Sequence, residues 1–436
     1  MKAKLFGFLK SDTSKNVIVN TIGNYLNIFF TAFFAILLVR LFSPEEYGVL
    51  SVLLAISYVM ANLLDFGATA TIYANLPGLI EKNTDSKYSF LKSIFIFQTV
   101  LSSLTIIVVW LYFPQIDKLF FKTDASTLAL NLTALSVLFY IWQNFITNSL
   151  FATKKFLIAN VYTNISNVVK LFFILGVYFF GKISIEIILL SFGIVGPLTV
   201  FFLFLKDRFN VLKKILTSNF DKESIKFRYT ITYFLASQFY NLALRMDLFL
   251  LSFFGLKPEV GYYGLAQKII LTISASAVSI SQVLSPQFAQ IKSRDEFYKI
   301  IKTGFIYMSL PCILFAILFF VPKEIFALVF TNSFEESGKI TNFLAIPFLL
   351  STLGIIPHLL LLYTFKTPKY TFLSNLGMLI VVSASAYYLI PLHGMYALPW
   401  ALSIGFLVAM AIQTFGILIE YYKKFRTTSK LRTANL

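Results

Sequence analysis

The chain has a single cysteine, Cys312, and two histidines, His358 and His393, far apart. One thiol cannot close an internal disulfide, and these residues offer no spacing for a zinc site. Charge is scarce: 13% of the 436 residues are charged, against about 25% in a soluble domain. Acidic residues are the scarcer kind, 20 against 37 Lys+Arg. No Walker A run, no G-x-S-x-G and no H-E-x-x-H occurs, and the loops are too short to hold a nucleotide-binding domain. These absences exclude an ordinary soluble enzyme, a secreted disulfide scaffold and transport driven by ATP bound to this chain. No A-x-A cleavage site follows the charged lead of Lys2, Lys4, Lys10 and Lys15, so the N-terminus reads as a signal anchor.

What is abundant is apolar: 58% hydrophobic residues, 17% aromatic, and a mean hydropathy of +0.78. About 20 apolar residues make one helical crossing of a bilayer. Twelve such runs are predicted, over 17–40, 47–72, 91–113, 127–151, 157–180, 184–206, 229–256, 261–289, 303–321, 338–364, 370–391 and 394–419. They are longer than porin strands of about 10 residues and do not alternate. A lipid-facing backbone must satisfy its own hydrogen bonds, so the runs are helices and the chain is an all-α integral membrane protein. With both termini in the cytoplasm, the cytoplasmic segments hold 27 Lys+Arg and the opposite loops 7. That asymmetry is expected of an N-in, C-in chain with an even number of spans. It also accounts for the net charge of +17 without nucleic acid as a partner.

The longest basic loop, 206–228, falls at mid-chain. It separates an N-terminal six-helix lobe, 1–206, and a basic cytoplasmic linker, 207–228, from a C-terminal six-helix lobe with a short basic tail, 229–436. An internal echo points to duplication. FSPEEYGVLS (42–51) and LKPEVGYYGLA (256–266) each follow the first span of their half; Pro44-Glu45 matches Pro258-Glu259, and Tyr47-Gly48 matches Tyr263-Gly264 after a slip of two. Parallel repeats of this kind imply a pseudo-twofold axis along the membrane normal.

Ionisable residues within spans are costly in lipid and mark functional sites by default. Lys170 and Arg245 fall roughly 15 Å, and Lys268 roughly 10 Å, below the outer boundary at 1.5 Å per residue. Asp247 lies beside Arg245, Asp65 near the inner end of the second span, and Arg40 at the outer end of the first. Polar residues recur around them at helical spacing: Asn16, Asn20, Asn24 and Asn27; Asn144 and Asn148; Asn160, Asn164 and Asn167 with Lys170; Asn241 with Arg245; Thr272 with Lys268. Together they predict a hydrated, amide-rich, cationic cavity. Three deep cations against one deep carboxylate imply an anionic substrate. A structural reading stands beside this one. Asparagines in membrane helices often serve only to link helices, Asp247 can neutralise Arg245 or Lys268, and Asp65 can bind a helix end at the lipid–water boundary. Pro197, Pro286, Pro311, Pro347, Pro357 and Pro399 lie within or at the ends of spans, where proline kinks a helix.

The runs LLVRLFSPEEYGVLSVLLAI (37–56) and LLDFGATATI (63–72) resemble the start of the polysaccharide-biosynthesis flippases. These are the Wzx-type O-antigen or capsule repeat-unit transporters of the multidrug/oligosaccharidyl-lipid/polysaccharide exporter (MOP) superfamily. RMDLFLLSFFGLKPEVGYYGLAQKI (245–269) is similar to that family's second-half pattern, an Arg-x-Asp and then Val260, Gly261, Tyr263 and Ala266. The resemblance implies two six-helix lobes around a central cationic cavity, alternating access, and no enzymatic activity. It implies an undecaprenyl-pyrophosphate-linked oligosaccharide carried from the cytoplasmic to the periplasmic leaflet of a bacterial inner membrane, for O-antigen, capsule or exopolysaccharide assembly. Arg245 and Lys268, then Lys170 and Arg40, would meet the pyrophosphate or an acidic sugar at low dielectric. Asn20, Asn24, Asn164 and Asn241 would meet glycan hydroxyls, with Asn27, Asn144, Asn167 and Thr272 completing the polar lining. Asp247 or Asp65 would hold a coupled proton or sodium ion, with no other cofactor. Membrane lipid, and polymerase and chain-length proteins of the same pathway, are the expected partners. Two rivals are a cation-coupled drug antiporter of the same superfamily, which would want buried carboxylates, and a non-transporting scaffold of polysaccharide assembly, which would need no deep cations. Lipid II flippases of the superfamily usually have fourteen helices, two more than are read here.

Overall fold

A chain with this little polar surface satisfies its backbone locally, and each apolar run closes its own hydrogen bonds as a helix. The computed structural model describes residues 12–81, 85–221, 227–289, 291 and 293–433. In chain order the α-helices are α1 Asp12–Leu41, α2 Pro44–Leu63, α3 Ala68–Glu81, α4 Ser86–Ile116, α5 Thr127–Ala152, α6 Phe156–Phe180, α7 Ile185–Leu190 and α8 Gly196–Thr217. They continue as α9 Phe227–Phe253, α10 Lys257–Ala289, α11 Arg294–Phe319, α12 Lys323–Val329, α13 Glu335–Leu359, α14 Pro368–His393 and α15 Ala397–Thr433. No strand occurs among the described residues. Nine helical segments among them are long and apolar enough to cross a membrane, and one of these, Pro368–Lys424, holds both α14 and α15. Each of the twelve predicted spans falls on helix.

The second predicted span is not one helix. α2 ends at Leu63 and α3 begins at Ala68. Between them Phe66 and Gly67 take left-handed φ angles of 46° and 79°, a conformation that glycine adopts at no steric cost. Asp65 closes the turn. Its Oδ2 accepts from the Thr69 amide at 3.1 Å and its backbone oxygen from the Ala68 amide at 2.9 Å, which satisfies free donors at the start of α3. Leu63, Leu64 and Phe66 carry the apolar run across the break, so hydropathy alone reads straight through it.

Among the described residues three wide π turns occur: Asp117–Phe121 closes α4, Ser191–Val195 interrupts the run between α7 and α8, and Leu360–Thr364 closes α13. Pro197 follows the second. Having no N–H, it cannot bond the carbonyl four residues back, at Gly193, and the helix widens there. Pro114 and Pro357 stand three residues before the other two.

The chain divides into two units. Unit 1 takes in residues up to Phe34, Val52–Leu119 and Asp124–Phe234; unit 2 takes in Ala35–Ser51, Phe120–Thr123 and Leu235 onward. The core of unit 1 joins Ile72 and Leu76 of α3, Phe90 and Ile94 of α4, Phe145 and Leu150 of α5, Ala159 of α6, and Val200 and Ile215 of α8. That of unit 2 joins Ala277, Leu284 and Phe288 of α10 to Phe297 and Met308 of α11 and to Ile356 and Leu359 of α13. In lipid such contacts stabilise by close packing rather than by release from water.

Candidate functional site

In unit 2 the ionisable residues gather on α9 and α10. Arg245 and Asp247 are two residues apart on α9, so their side chains leave the helix in different directions. Gln267 of α10 connects them. Its Oε1 accepts from Arg245 Nη1 at 2.6 Å, while its Nε2 donates to Asp247 Oδ2 and to the Leu244 carbonyl, both at 3.0 Å. The two acceptors on one side and the guanidinium on the other fix which way the amide points. Asp247 is fully buried. Its carboxylate also accepts from the Leu248 amide at 2.6 Å and from the Tyr263 hydroxyl. The cation and the carboxylate of α9 are thus joined through an amide on the neighbouring helix.

Lys268 projects elsewhere. Its Nζ lies 5.2 Å from the centre of the Tyr47 ring, a favourable cation–π position. It forms no ion pair among the described residues. Tyr47 is fully buried edge-on against Phe334, and its hydroxyl has no hydrogen-bond partner among the described residues. Thr272 gives its hydroxyl to the Lys268 carbonyl at 2.8 Å. Asn241 is half-buried one turn before Arg245. Arg40 stands apart from these residues: it is exposed and its Nη2 donates to the Val329 carbonyl at 3.3 Å. That carbonyl is the last of α12, where a cation is favoured.

The two echoed motifs touch. A Cβ on Gly48 would fall against the Lys257 carbonyl and 2.9 Å from the Gly261 nitrogen, and one on Gly261 would fall against the Pro44 carbonyl. Ser51 meets Gly264 in the same way. A constant separation of 213 residues relates 44 to 257, 48 to 261 and 51 to 264. The spatial counterpart of Gly48 is therefore Gly261, not the Gly264 expected from the sequence. The second motif is one residue shorter between its Pro-Glu pair and its glycine, a gap that the tyrosine match concealed.

In unit 1, Lys170 of α6 lies 4.9 Å from the ring centre of Phe192 and 5.6 Å from that of Phe34. Its stem rests on Gly196, where a Cβ would stand 2.9 Å from Lys170 Cδ. It too forms no ion pair among the described residues. The asparagines near it link helices. Asn167 donates to Asn27 Oδ1 at 2.9 Å, and Asn164 donates to the carbonyls of Asn160 at 2.8 Å and Gly23 at 3.3 Å. Asn164 Oδ1 is buried without a partner among the described residues. The side chains of Asn20 and Asn24 lie outside the described residues.

Asp65 heads a second network in unit 1. Its Oδ1 accepts from Thr69 Oγ1 at 2.9 Å and from Gln98 Nε2 of α4 at 2.8 Å. Thr69 accepts in turn from Asn148 Nδ2 of α5 at 2.9 Å, and Asn148 Oδ1 accepts from Tyr73 at 3.3 Å. Gln98 Oε1 is buried without a partner among the described residues. Asn144 is half-buried one turn before Asn148. Sequence reading missed Gln98 and Gln267. Each is an amide inside an apolar helix, which was the available signal.

These features define an all-helical membrane protein of many spans with ionisable residues inside them. The sequence profile of the family described as polysaccharide biosynthesis protein matches residues 13–292, and the chain belongs to that family. Its structure is similar to that of the lipid II flippase MurJ in an inward closed conformation, with TM-score 0.71, 16% identity, and 93% of this chain and 90% of that one covered. It is similar also to the MATE multidrug transporter DinF-BH, with TM-score 0.69, 17% identity, and coverage of 94% and 96%. A third is a MATE family transporter of the MOP superfamily in an inward-facing conformation, with TM-score 0.64, 13% identity, and coverage of 95% and 99%. These neighbours share the MOP fold with the chain, and by their names they are flippases and transporters rather than enzymes. No curated protein sequence gives a significant match.

Proposed function

We propose that the protein flips an undecaprenyl-pyrophosphate-linked oligosaccharide repeat unit across a bacterial inner membrane, from the cytoplasmic to the periplasmic leaflet, by alternating access. The observation that carries this reading is the two lysines held inside the spans without an ion-pair partner among the described residues, Lys170 on Phe34 and Phe192 in unit 1, and Lys268 on Tyr47 in unit 2. An ammonium at that depth is expensive unless it meets an anion, and aromatic rings hold it only partly. Family membership and the MOP fold supply the polysaccharide context. Arg245, in the same unit as Lys268, adds a guanidinium oriented by Gln267.

The lobes, the pseudo-twofold axis and the N-in, C-in orientation belong to the same proposal, supported by the basic asymmetry and by the reciprocal contact of Gly48 and Gly261. A coupled proton or sodium ion would act at Asp65 or Asp247. Each accepts three hydrogen bonds from the protein, so an arriving cation must displace a donor. The drug-antiporter rival is less well supported, because an organic cation would find both carboxylates already committed.

The test is lipid extraction from cells lacking the protein, with and without a plasmid copy, with polyprenyl-pyrophosphate oligosaccharide quantified on each membrane face. The expected result is build-up on the cytoplasmic face, cured by the wild type and not by Arg245→Ala. Unchanged lipid distribution with altered sensitivity to cationic dyes would replace the flippase reading with the antiporter.

A further inference from the structure

One cluster in unit 1 has no part in the transport site. It lies where α5 turns into α6, beside a bend in α8. Tyr162 of α6 donates to Asp207 Oδ2 at 2.7 Å, and Arg208 Nε stands 3.0 Å from the same oxygen. Arg208 leaves helical geometry, with φ −127° and ψ 31°, and the helix bends there. Its Nε is buried and gains no well-directed hydrogen bond despite the nearby carboxylate. Lys155, in the turn between Ala152 and Phe156, forms no ion pair among the described residues. The surrounding protein, and after it the guanidinium of Arg208, hold its ammonium below the ordinary lysine range; Asp207 opposes this, and Lys87 adds to it. Like charges gathered in this way are relieved by a bound anion.

Two observations indicate which anion. Lys155 stands where two spans end, between the last residue of α5 and the first of α6, which is the depth of lipid headgroups. Each cation also has an exposed apolar neighbour, Leu157 at 58% and Phe209 at 59% exposure. A free phosphate gains nothing from such surface, whereas acyl chains do. We propose that Lys155 and Arg208, with Lys87 beside them, bind the phosphodiester headgroup of an anionic phospholipid whose chains lie along Leu157 and Phe209. Asp207 acts as the positioning residue, holding Arg208 on one side and accepting from Tyr162 on the other. The site does not depend on the identity of the cargo.

The experiment uses the full chain in zwitterionic detergent, titrated with phosphatidylglycerol, cardiolipin, phosphatidylcholine, a polyprenyl pyrophosphate or inorganic phosphate. Retained lipid is counted by native mass spectrometry and Tm is followed in parallel. The two anionic phospholipids should be retained and raise Tm, and phosphatidylcholine should not. Lys155→Gln and Arg208→Gln should each weaken that retention about fivefold, the worth of one basic residue at an anionic surface. Lys299→Gln, an exposed lysine in unit 2, should leave it unchanged. Lys155 makes no ion pair among the described residues, so its variant stays interpretable if Arg208→Gln folds poorly. Equal retention in Lys155→Gln and wild type would overturn the proposal. So would equal protection by inorganic phosphate, or displacement of phospholipid by polyprenyl pyrophosphate at lower concentration.

Discussion

Gly48 and Gly261 face one another where α2 crosses α10, each against the backbone at the start of the other's helix. Neither position has room for a methyl group. Gly48→Ala and Gly261→Ala should each lower stability by about 1–3 kcal/mol, the usual cost of overpacking, read as a lower unfolding midpoint in detergent. Gly176→Ala near the end of α6, where a Cβ meets nothing within 4 Å, should be neutral or stabilising by up to ~1 kcal/mol.

Removing Gln267 takes a donor from the buried Asp247 and the acceptor from Arg245. Gln267→Ala should therefore destabilise by about 1–3 kcal/mol and lower flipping together with stability. Arg245→Ala should abolish flipping while the protein still inserts and accumulates normally. Arg245→Lys separates a planar guanidinium contact from charge alone. A fully active Arg245→Ala variant would remove this residue from the site.

Lys170 and Lys268 behave differently, because neither makes an ion pair among the described residues. Lys170→Gln and Lys268→Gln should shift stability by no more than about 1 kcal/mol, the size of a cation–π contact, yet depress flipping strongly. Parallel thermal unfolding and lipid-flipping assays check the split. Large destabilisation with flipping intact would make them structural.

Asp65 caps α3. Asp65→Asn keeps a good capping side chain, whereas Asp65→Ala should cost about 1 kcal/mol. If Asp65 carries the coupled cation, the asparagine variant should still fold but lose its response to an imposed proton or sodium gradient.

Lys155 gives a pH signature. Its ammonium is held below the ordinary lysine range in the folded chain, so in the interval up to the unfolded value the unfolded state binds more protons. Stability therefore rises with pH through that interval, which closes near pH 10.4. In lipid-free detergent Lys155→Gln should remove this rise and raise Tm at neutral pH.

The spans were legible because hydropathy and helix length are the same constraint in a bilayer. The break at 64–67 was not, because Leu64 and Phe66 are as apolar as the helix they interrupt. Arg245, Asp247, Lys170 and Lys268 stood out as charges in apolar runs. What joins or isolates them did not: Gln267 lies 22 residues from Arg245, and the rings under the lysines come from α1, α2 and the π turn before α8. The asparagine faces were visible at their spacing, but the bonds of Asn164 and Asn167 to α1 depend on a neighbour that no single helix specifies.

The crossing at Gly48 and Gly261 is self-complementary in the manner of a homodimer interface, since each motif offers the other what it receives. A chain cut between 218 and 226 would leave one copy on each fragment. Two separately translated pieces would then carry matching recognition elements for finding one another, and either piece alone would hold a surface suited to pairing with its own duplicate.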